Sequence, residues 1–253
     1  MFGRAQAPHA LWSLGYPDQA LVMSREALTL AQELSHPFSL AVALDYAAML
    51  HQFRREPQAV HERAEAAIAL CTEQEFAYYL AWGTTMQGWA RVAQDQDKEG
   101  MAQIRRGLAA LRATGAALRL PYYLALLTEA CGQTGQAAEG LTLLAEALTQ
   151  VHKTSECQTE AELHRLKAEL LLSLSADNQA EAEACFHQAL AVACRQQAKS
   201  LELRAATSLS RLWQQQGKRT EAHQLLAEIY GWFTEGFDTA DLQDAQALLE
   251  ELA

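Results

Sequence analysis

A small residue followed by a larger one recurs at a near-constant interval along the chain. It appears in Ala20-Leu21, Ala59-Val60, Gly100-Met101, Gly140-Leu141, Ala182-Glu183 and Ala222-His223, at separations of 39, 41, 40, 42 and 40 residues. Seven residues beyond each of the first five anchors stands a second small residue, at Ala27, Ala66, Gly107, Ala147 and Ala189; the sixth copy has Ile229. Seven residues are two helical turns, so each pair marks one helix face. Five residues before each anchor come Gly15, Arg54, Asp95, Gly135, Asp177 and Gly217, within polar strings that read as turns, three of them with the glycine that a left-handed position favours. A period of this length specifies a solenoid of stacked helix pairs.

Each anchor lies in the second helix of a pair. The first helices are expected at 39–53, 77–93, 121–132, 159–174 and 200–216, the second at 58–71, 98–112, 137–152, 179–195 and 220–233, making about six pairs. Antiparallel helices approach closely only where one carries Ala or Gly, so the small positions are structural. Pro8 and Leu11–Leu14 leave room for only a short first helix, so the first repeat reads as truncated and the chain as a piece of something longer. Residues 234–253, with a last helix at 242–252 that Asp238 or Thr239 can cap, fit the end unit a solenoid needs.

The chain is 253 residues long and half hydrophobic, rich in Ala, Leu, Gln and Glu, and shows no alternating strand pattern, so the expected class is all-α in one solenoid domain, 1–253. A formal net charge of −11 disfavours nucleic acid and anionic membranes as partners. Five cysteines without a Cys-x-x-Cys pair argue against a disulfide framework, no apolar stretch is long enough to span a bilayer, and no signal peptide opens the chain. A cytoplasmic protein is expected.

The string Leu14-Gly15-Tyr16-Pro17-Asp18-Gln19-Ala20-Leu21, the repeated Glu-Ala-Leu and the small positions twelve before and seven after each anchor resemble tetratricopeptide repeats, lengthened from 34 to about 40 residues. More narrowly, His51-Gln52-Phe53-Arg54-Arg55, Ala161 to Lys167, Asp177 to Glu183 and Tyr230 to Leu242 resemble the C-terminal helical region of bacterial signalling proteins that join a class III cyclase or a DNA-binding domain to an AAA-type ATPase. The resemblance implies a right-handed αα superhelix that binds a protein or peptide, including an ATPase or cyclase domain of the same polypeptide. It carries no catalytic role over, because neither catalytic domain is present in these residues.

Chemistry-bearing motifs are absent from the sequence. There is no Gly-x-x-x-x-Gly-Lys-Ser/Thr loop; Gly217-Lys218-Arg219-Thr220 lacks the upstream glycine. Cys185 and His187, two apart on a helix, point in different directions, and His187 with Cys194 makes only two ligands. No enzyme, metal or cofactor is therefore expected. By the tetratricopeptide resemblance the first helices line the concave side. Counting back eighteen residues from the anchors gives Trp82, Tyr122, His164 and Arg204, and eleven gives Trp89, Glu129 and Arg211, with Lys167 in a neighbouring column. These are the expected partner-binding residues, since aromatic and arginine side chains dominate interface energetics. The alternatives are a small-ligand sensor in which Trp82, Trp89 and Tyr122 form a pocket, and a structural or oligomerisation segment.

Overall fold

The computed structural model describes residues 2–253 and contains thirteen α-helices and one short 3-10 turn. They form six antiparallel pairs: α1 (Phe2–Ser13) with α2 (Pro17–Glu33), α3 (Pro37–Phe53) with α4 (Pro57–Glu73), α5 (Ala77–Val92) with α6 (Asp97–Ala113), α7 (Leu120–Gln133) with α8 (Ala137–Thr154), α9 (Glu160–Leu174) with α10 (Gln179–Gln196), and α11 (Lys199–Gln215) with α12 (Arg219–Tyr230). The last helix, α13 (Ala240–Leu252), packs on α11 and α12. Proline opens α2, α3 and α4 at their first turn, where its missing N–H is no loss.

α1 is longer than expected and continues through Pro8, because Ala5, Pro8, His9 and Trp12 form one buried face. Tertiary packing there outweighs the helix-breaking tendency of a proline.

The repeat register in the second pair differs by one residue from the expected one. Val60 and Ala67 are fully buried, whereas Ala59 is only partly so and Ala66 is exposed. The backbone agrees: left-handed residues stand five before the true anchors at Gly15, Arg55, Asp95, Gly135 and Gly217, and fifteen after them at Ser35, Glu75, Gly115, Ser155 and Gln197. The fifth pair is the exception. Two extra residues are taken up between α9 and α10 by the 3-10 turn Ala176–Asn178, in which Asp177 N–H donates to Ser175 Oγ (3.1 Å) and Asn178 Nδ2 donates to the Leu171 carbonyl (2.9 Å).

Between α5 and α6 the small positions are contact points between helix backbones, whereas Gly140 of α8 faces the Leu170 and Cys131 side chains. A Cβ on Gly100 would lie 2.7 Å from the Gly88 carbonyl oxygen and 2.8 Å from Val92 N, and one on Gly107 would meet the Thr85 side chain, Thr85 N at 2.8 Å and the Ala81 oxygen at 3.0 Å. The first helices α1, α3, α5, α7, α9 and α11 pack successively on one another, and α11 also packs on α1, so the superhelix closes on itself. The Glu235 carboxylate accepts from the N–H groups of Asp18 (2.9 Å) and Gln19 (3.0 Å), where α2 begins. Asp18 in turn accepts from Gly236 N–H at 2.9 Å. Arg54 Nη1 donates to the Pro17 carbonyl (2.9 Å), and Gly236, at φ +78°, has no room for a side chain against Pro17. The axis is filled with buried Trp12, Tyr46, Phe53, Trp82, Tyr122 and Tyr123.

Asp45 of α3 is fully buried with neither carboxylate oxygen hydrogen-bonded, and burial pushes its pKa well above the usual value.

Two outcomes follow from this packing. Gly107→Ala should lower stability by about 1–3 kcal/mol, because a backbone rather than a flexible side chain must move; Gly3→Ala, where nothing lies within 4 Å, should not. A folded-state pKa above the unfolded one means that the fold loses stability as pH rises. Asp45→Asn should therefore stabilise the protein, and urea denaturation should show the gain to be at least about 1 kcal/mol larger at pH 8 than at pH 5.

Candidate functional site

The first helices run parallel to one another, so their N-terminal ends gather at one end of the superhelix and their C-terminal ends at the other. Between the two lies an aromatic waist. Trp12 stacks on Phe53 (centroids 4.6 Å, 25°), Phe53 meets Tyr122 edge-on at 5.8 Å, and Tyr122 OH donates to Gln52 Oε1 at 3.0 Å.

On the C-terminal side of this waist is a cavity of about 390 Å³ with walls from α7, α9, α11, α13 and the end of α3. Its charged lining is Arg55, Arg165, Arg204 and Arg211 facing Glu129, Glu162, Glu169, Asp241 and Asp244. The sequence places them there by helical spacing: Glu162, Arg165 and Glu169 lie three and four apart on α9, as do Arg204, Thr207, Ser208 and Arg211 on α11.

The charges are cross-linked. Arg165 grips Glu162 with two hydrogen bonds (2.7 and 3.0 Å) and also contacts Glu169, whose carboxylate accepts from Ser208 Oγ at 2.9 Å. Arg204 pairs with Asp241 (2.8 Å) and donates to the Phe53 carbonyl. Arg55 bridges Asp244 (2.7 Å) and Asp241 (3.3 Å), and Arg211 approaches Asp244 at 3.8 Å. Burial opposes ionisation of Glu162, but the guanidinium groups of Arg165 and Arg204 outweigh it and bring its pKa down to about 2. Glu129 goes the other way: burial raises it, the Trp89 N–H bond (2.8 Å) opposes, and the neighbouring charge of Glu162 adds to the rise. The Thr128 hydroxyl, buried beside it, has no partner.

Of the residues expected to line the groove, Glu129, Arg204 and Arg211 do face this cavity. Trp82, Trp89 and Tyr122 are instead buried to 1%, 4% and 5% exposure, in the axial core rather than on an open surface: Trp82 packs on Tyr46 of α3 and Tyr123 of α7, Trp89 donates to Glu129 of α7, and Tyr122 meets Phe53 of α3. His164 is half-buried outside the cavity, its pKa lowered chiefly by burial. Lys167 pairs with Glu181 of α10 at 3.1 Å.

The two-residue insertion explains His164 and Lys167. It lies after α9, so counting back from Ala182 stops two residues short, and the residues that continue the columns are Glu162, Arg165 and Glu169. The buried small positions of the first helices confirm the offset: Ala41, Ala81, Pro121 and Ala161 follow one another at 40-residue steps. Sequence reasoning also missed Arg55, Asp241 and Asp244, which reach the site only because the ends of the array meet. Among the described residues there is no cluster of three or more His, Cys, Asp or Glu side chains arranged to hold a metal ion, and no helix long and apolar enough to cross a membrane.

No protein-family model and no curated protein sequence matches the chain. Solved structures do. A Rap protein complexed with Competence and Sporulation Factor superposes with a TM-score of 0.66 at 16% identity, over 94% of this chain and 63% of that one. Aspartyl phosphate phosphatase F from Bacillus subtilis gives 0.62 at 12% identity, over 89% and 57%. A putative kinesin light chain with nearly identical TPR-like repeats, from Podosopora anserina, gives 0.53 at 19% identity, over 75% and 92%. The chain thus spans less than two thirds of the first two proteins. At these identities the likeness is one of fold, and the fold is an α-solenoid of tetratricopeptide type.

Removing Arg165 leaves Glu162, only 16% exposed, without its two hydrogen bonds and with Arg204, at 3.9 Å, as its remaining cation. Arg165→Met should cost about 3 kcal/mol at pH 7. A depressed carboxylate pKa contributes stability that is present above its unfolded value and lost on acidification. The cost should accordingly shrink as pH falls from 4.5 toward 2, and the double variant with Glu162→Gln should recover part of it in urea denaturation.

Proposed function

We propose that this chain is a non-catalytic interaction module that binds a short segment of a partner protein in the charged cavity between α7, α9, α11 and α13. The observation that carries this reading is the lining itself: four arginines and five carboxylates, interleaved with Gln52, Gln133, Thr128, Thr207 and Ser208, on helices that the fold holds rigidly in place. Such a surface offers donors and acceptors to a peptide backbone and exchangeable ion pairs to its side chains. Its charged lining distinguishes it from a typical small-molecule pocket, and Trp82 and Trp89 do not line it, which disfavours the sensor reading built on Trp82, Trp89 and Tyr122. The structural likeness to a Rap protein crystallised with Competence and Sporulation Factor is consistent with ligand capture inside a superhelix of this type. In a longer polypeptide the partner segment would belong to an ATPase or cyclase domain, as the sequence resemblance implies.

Arg211 and Glu129 are the levers for a test, because neither is locked into a short ion pair. Peptides selected from a random heptapeptide library on the unaltered protein should bind Arg211→Glu and Glu129→Gln at least about tenfold more weakly, as loss of a charged interaction at a desolvated site requires. Selected peptides that bind both variants with unchanged Kd in isothermal titration would place the binding surface elsewhere.

A further inference from the structure

At the N-terminal mouth the first helices begin with rings left open to solvent. Phe2 of α1 and Phe38 of α3 are 48% and 36% exposed, with centroids 6.1 Å apart. Phe38 meets Phe76, the residue before α5, and Tyr79 of α5 edge-on at 5.4 and 5.3 Å. Tyr79 meets Tyr78 at 5.2 Å, and Tyr78 OH stands 3.5 Å from the carbonyl of Leu118, which is 61% exposed just ahead of α7. Single exposed apolar side chains are ordinary on a protein surface, but an arc joined by contact across the starts of four first helices marks an interaction site. The arc has a firm backing: Tyr79 stacks on the buried Trp82 ring (6.2 Å, 19°), and Arg119 lies over Trp82 at 5.4 Å.

The carboxylates beside these rings have the wrong sign for the helices that carry them. α2 ends on Glu33 and α4 on Glu73, and neither has a basic residue in its last turn, where the helix dipole favours a cation. α6, α8 and α10 end in the favoured way, with Arg112, with His152 and Lys153, and with Arg195. Glu75 follows in the turn into α5, and all three glutamates are exposed and, among the described residues, form no ion pair. Residues 26–53 and 64–90, which supply most of the arc, contain no lysine or arginine. The exposed cation nearest in sequence is Arg4, two residues after Phe2; Arg119 and His9 are buried. An apolar arc edged by unpaired acids fits a partner that is apolar and basic. A second copy would bring the same acids face to face, and an anionic membrane would be repelled. The ring-to-ring steps of 6.1, 5.3 and 5.2 Å are close to the roughly 5.4 Å rise of one helical turn, and shorter than the roughly 6.8 Å between alternate residues of a strand.

We propose that this rim docks a cationic amphipathic helix of another protein, whose apolar stripe lies along Phe2, Phe38 and Tyr79 and whose lysine or arginine side chains pair with Glu33, Glu73 and Glu75. The same cations would complement the C-terminal ends of α2 and α4, which the chain itself leaves without one. The rim lies at the opposite end of the superhelix from the charged cavity, so it stands or falls independently of the function proposed above.

The probe is a peptide of about fourteen residues, long enough to form a helix once bound, with leucine on one helical face and lysine on the other, titrated calorimetrically at low ionic strength. Phe38→Ser and Leu118→Ser, both at exposed positions, should each weaken binding at least about tenfold. The triple variant Glu33→Gln/Glu73→Gln/Glu75→Gln should do the same. A second triple variant, Glu221→Gln/Glu228→Gln/Glu250→Gln, removes the same charge from exposed positions on α12 and α13 and should leave Kd unchanged. Two analogues, one with glutamate for lysine and one with the same residues scrambled out of helical register, should bind at least about tenfold more weakly than the probe. The proposal is overturned by an unchanged Kd in Phe38→Ser and Leu118→Ser, by equal binding of either analogue, or by equal weakening in the two triple variants, which would mean attraction to the net charge of −11 alone. Sedimentation showing a dimer of the unaltered protein that Phe38→Ser dissociates would overturn it in favour of a second copy.

Discussion

Everything larger in this molecule depends on the close packing of helices within the pairs, tightest between α5 and α6. At Gly88, Gly100 and Gly107 these two helices come so near that a single methyl group would collide with a backbone atom of the facing helix. Contacts that close fix both the separation and the rotation of the helices, and a unit repeated with the same separation and rotation must generate a superhelix of definite pitch. Because the pairs repeat at 40-residue steps with one two-residue exception, the errors that would open the coil do not accumulate. The sixth pair therefore arrives beside the first, and α11 packs on α1.

Closure changes what the inner surface can be. The aromatic residues of the first helices do not face a groove: Trp82 meets Tyr46 of α3 and Tyr123 of α7, Tyr122 meets Phe53 of α3, and both become core. The same event brings polar chain ends to the C-terminal mouth, where Arg55 of the α3–α4 turn meets Asp241 and Asp244 of the last helix. Glu235 meanwhile caps the exposed N–H groups of α2. The charged cavity is thus a property of the ring and not of any one repeat.

This explains which parts were legible in the sequence. Helix pairing, the turns and the small positions depend on neighbours within about 40 residues and could be read from periodicity. The errors were of two kinds. Ala59 and Val60 are adjacent and both small enough for an anchor, and only the burial of Val60 and the left-handed Arg55 decide between them. In the fifth pair the extra residues sit between the first helix and its anchor, so a column counted from Ala182 lands on His164 and Lys167 instead of Glu162 and Arg165. Contacts such as Arg204 with the Phe53 carbonyl, 151 residues away, depend on the curvature of the whole array, which no local pattern encodes.

The two mouths differ in how their charge is balanced, and that difference bears on function. At the C-terminal mouth each arginine already has a carboxylate, so a ligand gains only what it offers beyond the bonds it displaces; such a surface favours selectivity over affinity. At the N-terminal mouth the Arg119 cation lacks a counter-charge and the His9 acceptor lacks a donor, both buried by aromatic side chains that the ring holds in place. The same fold therefore leaves, at its two ends, one mouth whose charges are paired with one another and one where Arg119 Nε and His9 Nδ1 are buried without partners.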